Sequence, residues 1–233
     1  MAQLETKEIH YAGKAGQIRA YTAHQAGDAA RPAVIVVQEW WGLNDNIKNI
    51  ARRFADEGYF AIAPDLYSRQ GNKVATDPNT AAQLMTTLKK PDGIEDLKTT
   101  IQWLRSQPAT RAAKIGVTGY CMGGSYALLL PCESDQISAA APFYGEIPGE
   151  AELKKLNCPI FYAYGENDGW IQRKDVDHLA HALKNLGKKG EVKIYKGCQH
   201  GFFNETRKDV YAPEAAKDAW QHTLKLFNEN LKS

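Results

Sequence analysis

The sequence predicts an α/β fold, a mostly parallel central sheet with helices on both faces. Three observations predict it. Short apolar runs alternate along the chain with longer amphipathic ones. Most of the short runs are continuously apolar, as in strands covered on both sides. Composition is that of a globular chain, with 43% hydrophobic and 24% charged residues among 233. No Pro/Gly/Ser linker, low-complexity stretch or internal repeat interrupts the pattern, so one domain over residues 1–233 is expected.

The elements follow in order. Gln3–Thr22 mixes polar alternation with glycines and reads as an antiparallel hairpin. Strands are expected over Ala33–Gln38, Tyr59–Ala63, Ile115–Thr118, Ile137–Phe143, Ile160–Tyr164 and Glu191–Tyr195. Between them, apolar residues at helical spacing mark Asp45–Glu57 (Ile47, Ile50, Ala51, Phe54), Gly93–Arg105 and Lys174–Leu186. Ala212–Leu231 closes the chain with Trp220, Leu224 and Phe227 on one face. A further helix begins at Tyr126–Leu130. Tyr67–Thr80 is the longest irregular piece, and a loop of that length is more often a binding loop than a boundary.

Charge excludes several classes of partner. Lys and Arg number 29 against 27 Asp and Glu, a net of +2 spread along the chain. No nucleic-acid or membrane attraction follows from that balance, and no apolar run reaches the roughly 18 residues of a membrane span. The N-terminus has no apolar signal core, so a cytoplasmic location is expected. No G-x-G-x-x-G follows a strand and no G-x-x-x-x-G-K-[ST] occurs, so no cofactor is expected. Cys121, Cys132, Cys158 and Cys198 form no C-x-x-C pair, and no metal site is expected. A monomer or small homo-oligomer acting on a small molecule is the default.

In parallel sheets ligands bind beyond the carboxyl ends of the strands, and the unusual residues fall there. Gly119-Tyr120-Cys121-Met122-Gly123 joins a buried strand to a helix and has the form of a nucleophile elbow with Cys as the central residue. A cramped turn requires the glycines, because side chains two positions either side would strike neighbouring backbone. The amide of Met122, at a helix N-terminus, can stabilise an oxyanion, and the helix dipole favours a thiolate at Cys121.

A thiol nucleophile needs a base, and the base an orienting carboxylate. His200 follows the strand at Glu191–Tyr195, and Asp168 follows the strand at Ile160–Tyr164. Glu166, two residues earlier in the same turn, is the rival to Asp168, which lies later in the loop and so reaches further toward His200. The order Cys, Asp, His is that of strand-end triads in such sheets. Glu39 ends a buried strand, where a charge is costly unless paired, and the amide of Trp40 is positioned as the second oxyanion donor.

Together QEWWGL, APDLYSRQG, GYCMGG, YGEND and HGF make the chain resemble the dienelactone hydrolase family, carboxymethylenebutenolidase-like enzymes of the α/β-hydrolase fold. The resemblance implies Cys121 as nucleophile, His200 as base and Asp168 as its acid. It puts the family's thiol-activating glutamate on Glu39 and the oxyanion amides on Trp40 and Met122. It also implies hydrolysis of a small activated ester or lactone through an acyl-thioester. Two departures bear on the substrate. Asn204 stands where substrate-carboxylate-binding members carry an arginine, and no Arg occurs between Arg69 and Arg105. Arg69, Lys73 and Arg207 are the cations that could substitute, and Tyr67, Tyr144 and Phe202 are further candidates for the pocket wall. The alternative reading is a non-catalytic, redox-sensing member in which Cys121 is simply a reactive thiol.

Overall fold

A computed structural model of the chain describes residues 3–27 and 29–232. Strands β1 (Leu4–Gly13) and β2 (Gly16–Gln25) form the expected hairpin, closed by the tight turn at Lys14-Ala15. Six strands follow: β3 (Arg31–Val37), β4 (Phe60–Pro64), β5 (Thr110–Tyr120), β6 (Ala139–Phe143), β7 (Ile160–Gly165) and β8 (Gly190–Tyr195). All eight make one sheet in the order β1-β2-β4-β3-β5-β6-β7-β8. The hairpin joins it antiparallel through β2 and β4, and every pairing from β4 to β8 is parallel. The strand order reverses direction around β3, the kind of switch point that opens a crevice at strand carboxyl ends.

Helices α1 (Asp45–Asp56) and α7 (Pro213–Leu231) cover one face. They meet through Phe54 and Trp220, whose ring centroids lie 4.5 Å apart. Phe54 and Phe227 are fully buried there, a gain of about 2–3 kcal/mol for each side chain. Asn44 caps α1 by accepting the amide of Ile47 at 3.2 Å, so Ile47, Ile50, Ala51 and Phe54 all turn to the sheet. The other face carries α3 (Lys90–Ser106), α4 (Met122–Glu133), the short α5 (Glu150–Leu153) and α6 (Arg173–Asn185).

One expectation fails in part. Tyr67–Thr80 is not wholly irregular: a 3-10 turn occupies Ser68–Gln70, and α2 (Pro78–Thr87) begins inside the segment. Asp77 accepts the amides of Asn79 and Thr80, both at 3.0 Å, and Pro78 takes the first helical position. The Asp-Pro pair was the local signal for that helix start. All four cysteines are free. Among the described residues no helix is long and apolar enough to cross a membrane.

Candidate active site

Cys121 sits between β5 and α4 with φ +58° and ψ −122°. That conformation costs a non-glycine residue on the order of 1–3 kcal/mol and persists only where surrounding packing imposes it. The packing is visible. A Cβ on Gly119 would lie 2.1 Å from the carbonyl oxygen of Gly123, and one on Gly123 would lie 2.3 Å from that of Val37. The turn therefore closes on itself and rests directly on the end of β3.

The backbone amides of Met122 and Trp40 lie toward the Cys121 sulfur and favour its anionic form. Burial and the adjacent Glu39 carboxylate outweigh them, so the thiol is pushed well above its usual range and is protonated at rest. The helix dipole and the two amides favour the thiolate, but loss of hydration exceeds their help.

His200 and Asp168 arrive on loops bound to each other. Gly165, at the end of β7, leaves no room for a side chain, since a Cβ there would lie 2.7 Å from the carbonyl oxygens of Cys198 and Gln199. The amide of Asn167 donates to Cys198 O at 2.8 Å. Glu166 accepts the amide of Gly197 at 2.8 Å, so the rival carboxylate splices the loops together and does not reach the histidine. Asp168 Oδ2 contacts His200 Nδ1 at 2.8 Å, and its Oδ1 accepts the amides of Trp170 and Ile171, both at 2.8 Å. Nε2 of His200 is left without a partner.

Glu39 is 3% exposed. Burial pushes its carboxyl up to about 7, partly opposed by His200, by a hydrogen bond from Asn204 and by Arg207. That bond, from Asn204 Nδ2 to Glu39 Oε2, is 2.6 Å long. The orientation of Asn204 is fixed because its Oδ1 accepts both the amide and the hydroxyl of Thr206.

Cys121, His200 and Glu39 open onto one cavity of about 400 Å³. Its walls are Trp40, Trp41 and Trp170, with Met85 from α2 and Arg207 from the loop beyond His200. A neighbouring cleft of about 330 Å³ contains Ser125, but that hydroxyl accepts the Glu146 amide at 2.8 Å and no histidine lines the cleft.

The other sequence candidates lie elsewhere. Tyr67 is fully buried beneath the Trp40 loop and donates its hydroxyl to Trp40 O at 2.9 Å, so it holds that loop and is not a wall of the cavity. Tyr144 and Phe202 are likewise buried. Tyr144 has φ +40° and packs edge-on to His200 with centroids 4.9 Å apart, and Phe202 packs behind Tyr144. Arg69 does not line the cavity. Its guanidinium is bound to Asp96 at 2.8 and 3.0 Å and to Glu95 at 3.0 Å, which pins the 3-10 turn to α3. Lys73 is not a lining residue either. Met85 and Trp170 were not expected from the sequence. Trp170 had a signal, because the Asx-type turn at Asp168 seats the indole against His200 at a centroid distance of 5.3 Å.

A parallel sheet whose strand-to-helix elbow, imidazole loop and carboxylate loop all gather at one end is that of an α/β-hydrolase. More narrowly, the chain belongs to the dienelactone hydrolase family, whose family model matches residues 18–231. Among sequence relatives, the protein usf of Aquifex pyrophilus is 38% identical over 209 residues, covering 86% of this chain and 89% of its own. A protein of Aquifex aeolicus provisionally described as a carboxymethylenebutenolidase is 34% identical over 212 residues, covering 87% and 90%. A crystal structure provisionally described as a dienelactone hydrolase, from Klebsiella pneumoniae, superposes with a TM-score of 0.90 at 30% identity, over 97% of this chain and 99% of its own. The dienelactone hydrolase-like promiscuous phosphotriesterase P91 from metagenomic libraries has the same fold, with a TM-score of 0.89 at 20% identity over 97% and 98% of the two chains.

Proposed function

We propose that this hydrolase cleaves small activated esters or lactones through an acyl-thioester on Cys121. His200 is the base, Asp168 orients it, Glu39 activates the thiol, and the amides of Trp40 and Met122 form the oxyanion hole. The observation that carries the reading is the shared cavity. A strained cysteine and an imidazole with a free Nε2, itself held by a buried carboxylate, face the same space.

The two amides that an oxyanion would need lie toward the resting sulfur. A substrate carbonyl oxygen takes them over and turns the sulfur into the cavity. Glu39, with a carboxyl near neutrality, accepts the thiol proton. The thiolate adds to the carbonyl carbon, and the tetrahedral oxyanion is stabilised by the two amides. Collapse forms the acyl-thioester and breaks the bond to the leaving oxygen, so an alkoxide stable enough to depart unprotonated, such as an enolate or phenolate, is favoured. His200 then takes a proton from water as the water adds to the thioester. The acid leaves, the proton on Glu39 returns to the sulfur, and His200 releases its own to the leaving oxygen or to solvent.

The test is hydrolysis of p-nitrophenyl acetate by the native protein and by Cys121→Ala. The expected result is turnover that the substitution abolishes. Equal rates in a folded variant overturn the reading. The redox alternative fits less well, because a buried, protonated thiol is slow to oxidise.

A further inference from the structure

The cavity is built of indoles and is poor in available positive charge. Trp40 and Trp41 meet edge to face with centroids 5.0 Å apart, and Trp170 stands nearly perpendicular to His200. Such walls suit a flat unsaturated ring, whose faces and edges match theirs. Each site that could have offered a cation to an anionic substrate is occupied or absent. Arg69 is bound by Asp96 and Glu95 away from the cavity. Asn204 is neutral, and its only two amide protons lie on the atom that donates to Glu39. Among the described residues, Arg207 is the one Lys or Arg lining the cavity. Its Nε and Nη2 both turn to the Asp209 carboxylate, at 2.9 and 2.5 Å, in a two-bond fork. Glu39 lines the same cavity as a buried carboxylate. An entering carboxylate would meet that like charge, with the matching face of the only cation already taken.

We propose that the site selects uncharged esters or lactones bearing a flat unsaturated ring over carboxylate-bearing ones, and that Asp209 sets this preference by holding Arg207. The inference rests on the hydrolase reading for what becomes of the ligand, but the selectivity is a property of binding and is measured without turnover.

The experiment uses Cys121→Ala protein at pH 8, with the cavity tryptophans as fluorescent reporters, and titrates phthalide against phthalide-5-carboxylate. Phthalide should bind more tightly by about tenfold or more, as like-charge juxtaposition disfavours the anion. Asp209→Asn should lower that ratio about fivefold or more, chiefly by tightening the carboxylate, and adding Arg207→Gln should cancel the change. Equal or tighter binding of the carboxylate, a ratio unmoved by Asp209→Asn, or no saturable quenching by phthalide overturns the proposal. Hydrolysis of phenyl acetate by native protein is read separately. No turnover with the ratio intact overturns the hydrolase reading alone, and turnover without selectivity overturns this inference alone.

Discussion

Replacing Asp168 with Asn tests the proposed triad at the level of single hydrogen bonds. Oδ1 of Asp168 is held by two backbone amides at 2.8 Å, which only an oxygen can accept. An asparagine must keep its oxygen there, which turns its NH2 group toward His200 Nδ1, now 2.8 Å from a carboxylate oxygen. The opposite orientation would set NH2 against two N–H donors and leave each unsatisfied, at about 1–3 kcal/mol apiece. The imidazole therefore changes tautomer. Its proton moves to Nε2, the atom that accepts one in the proposed mechanism. The expected loss is about 10³–10⁴ in kcat, or about 4–5 kcal/mol in the barrier. The fold should survive, since the loop contacts are preserved. Initial rates of p-nitrophenyl acetate hydrolysis, with circular dichroism as the folding control, provide the assay. A well-folded variant within tenfold of the native rate would refute the reasoning.

Three further outcomes are expected. Glu39 has a folded pKa of about 7 against an ordinary 4.5, so the folded state holds the extra proton between those values and stability falls as pH rises through that window, by about 3 kcal/mol in all; Glu39→Gln should remove that fall in urea melts compared at pH 5 and pH 8, and an unchanged fall would show that another group causes it. Arg69→Ala should cost about 2–4 kcal/mol, because it strips the guanidinium from the buried Asp96, while the KM for a neutral ester stays within about twofold; a large KM change with unaltered stability would return Arg69 to the substrate site. Gly123→Ala drives a Cβ to 2.3 Å from Val37 O and 2.4 Å from Gln38 O, both backbone, and should lower stability by about 3 kcal/mol or more in urea melts; a native-like midpoint would mean the elbow is looser than its packing implies.

The sheet was legible because its strands are buried on both faces and therefore read as unbroken apolar runs. Ala33–Gln38 and Ile160–Tyr164 are such cases; the second falls inside its observed strand and the first overruns its strand by Gln38 alone. The elbow was legible because its glycines answer a steric demand that leaves no substitute. Three things were hidden. Helix α2 has weak amphipathicity, with only Ala81 and Leu84 buried, so periodicity could not announce it and only its Asp77-Pro78 cap could. The protonation of Cys121 depends on how deeply folding buries it, which the local pattern of GYCMG does not encode. The partners of Arg69 and Arg207 depend on which carboxylates the fold brings near them. Asp96 is 27 residues from Arg69, whereas Asp209 is two residues from Arg207. Spacing alone does not tell a tethered cation from one facing a substrate.

The claim on which the mechanism depends is that sulfur becomes covalently bonded to the acyl group. Rapid quenching of the native protein with excess p-nitrophenyl acetate into acid, followed by intact-mass and peptide mass spectrometry, reads this directly. The account predicts a single acetyl adduct located on Cys121, absent from the Cys121→Ala protein. Steady turnover with no adduct at that residue, or an adduct on another side chain that turns over at the catalytic rate, would contradict it.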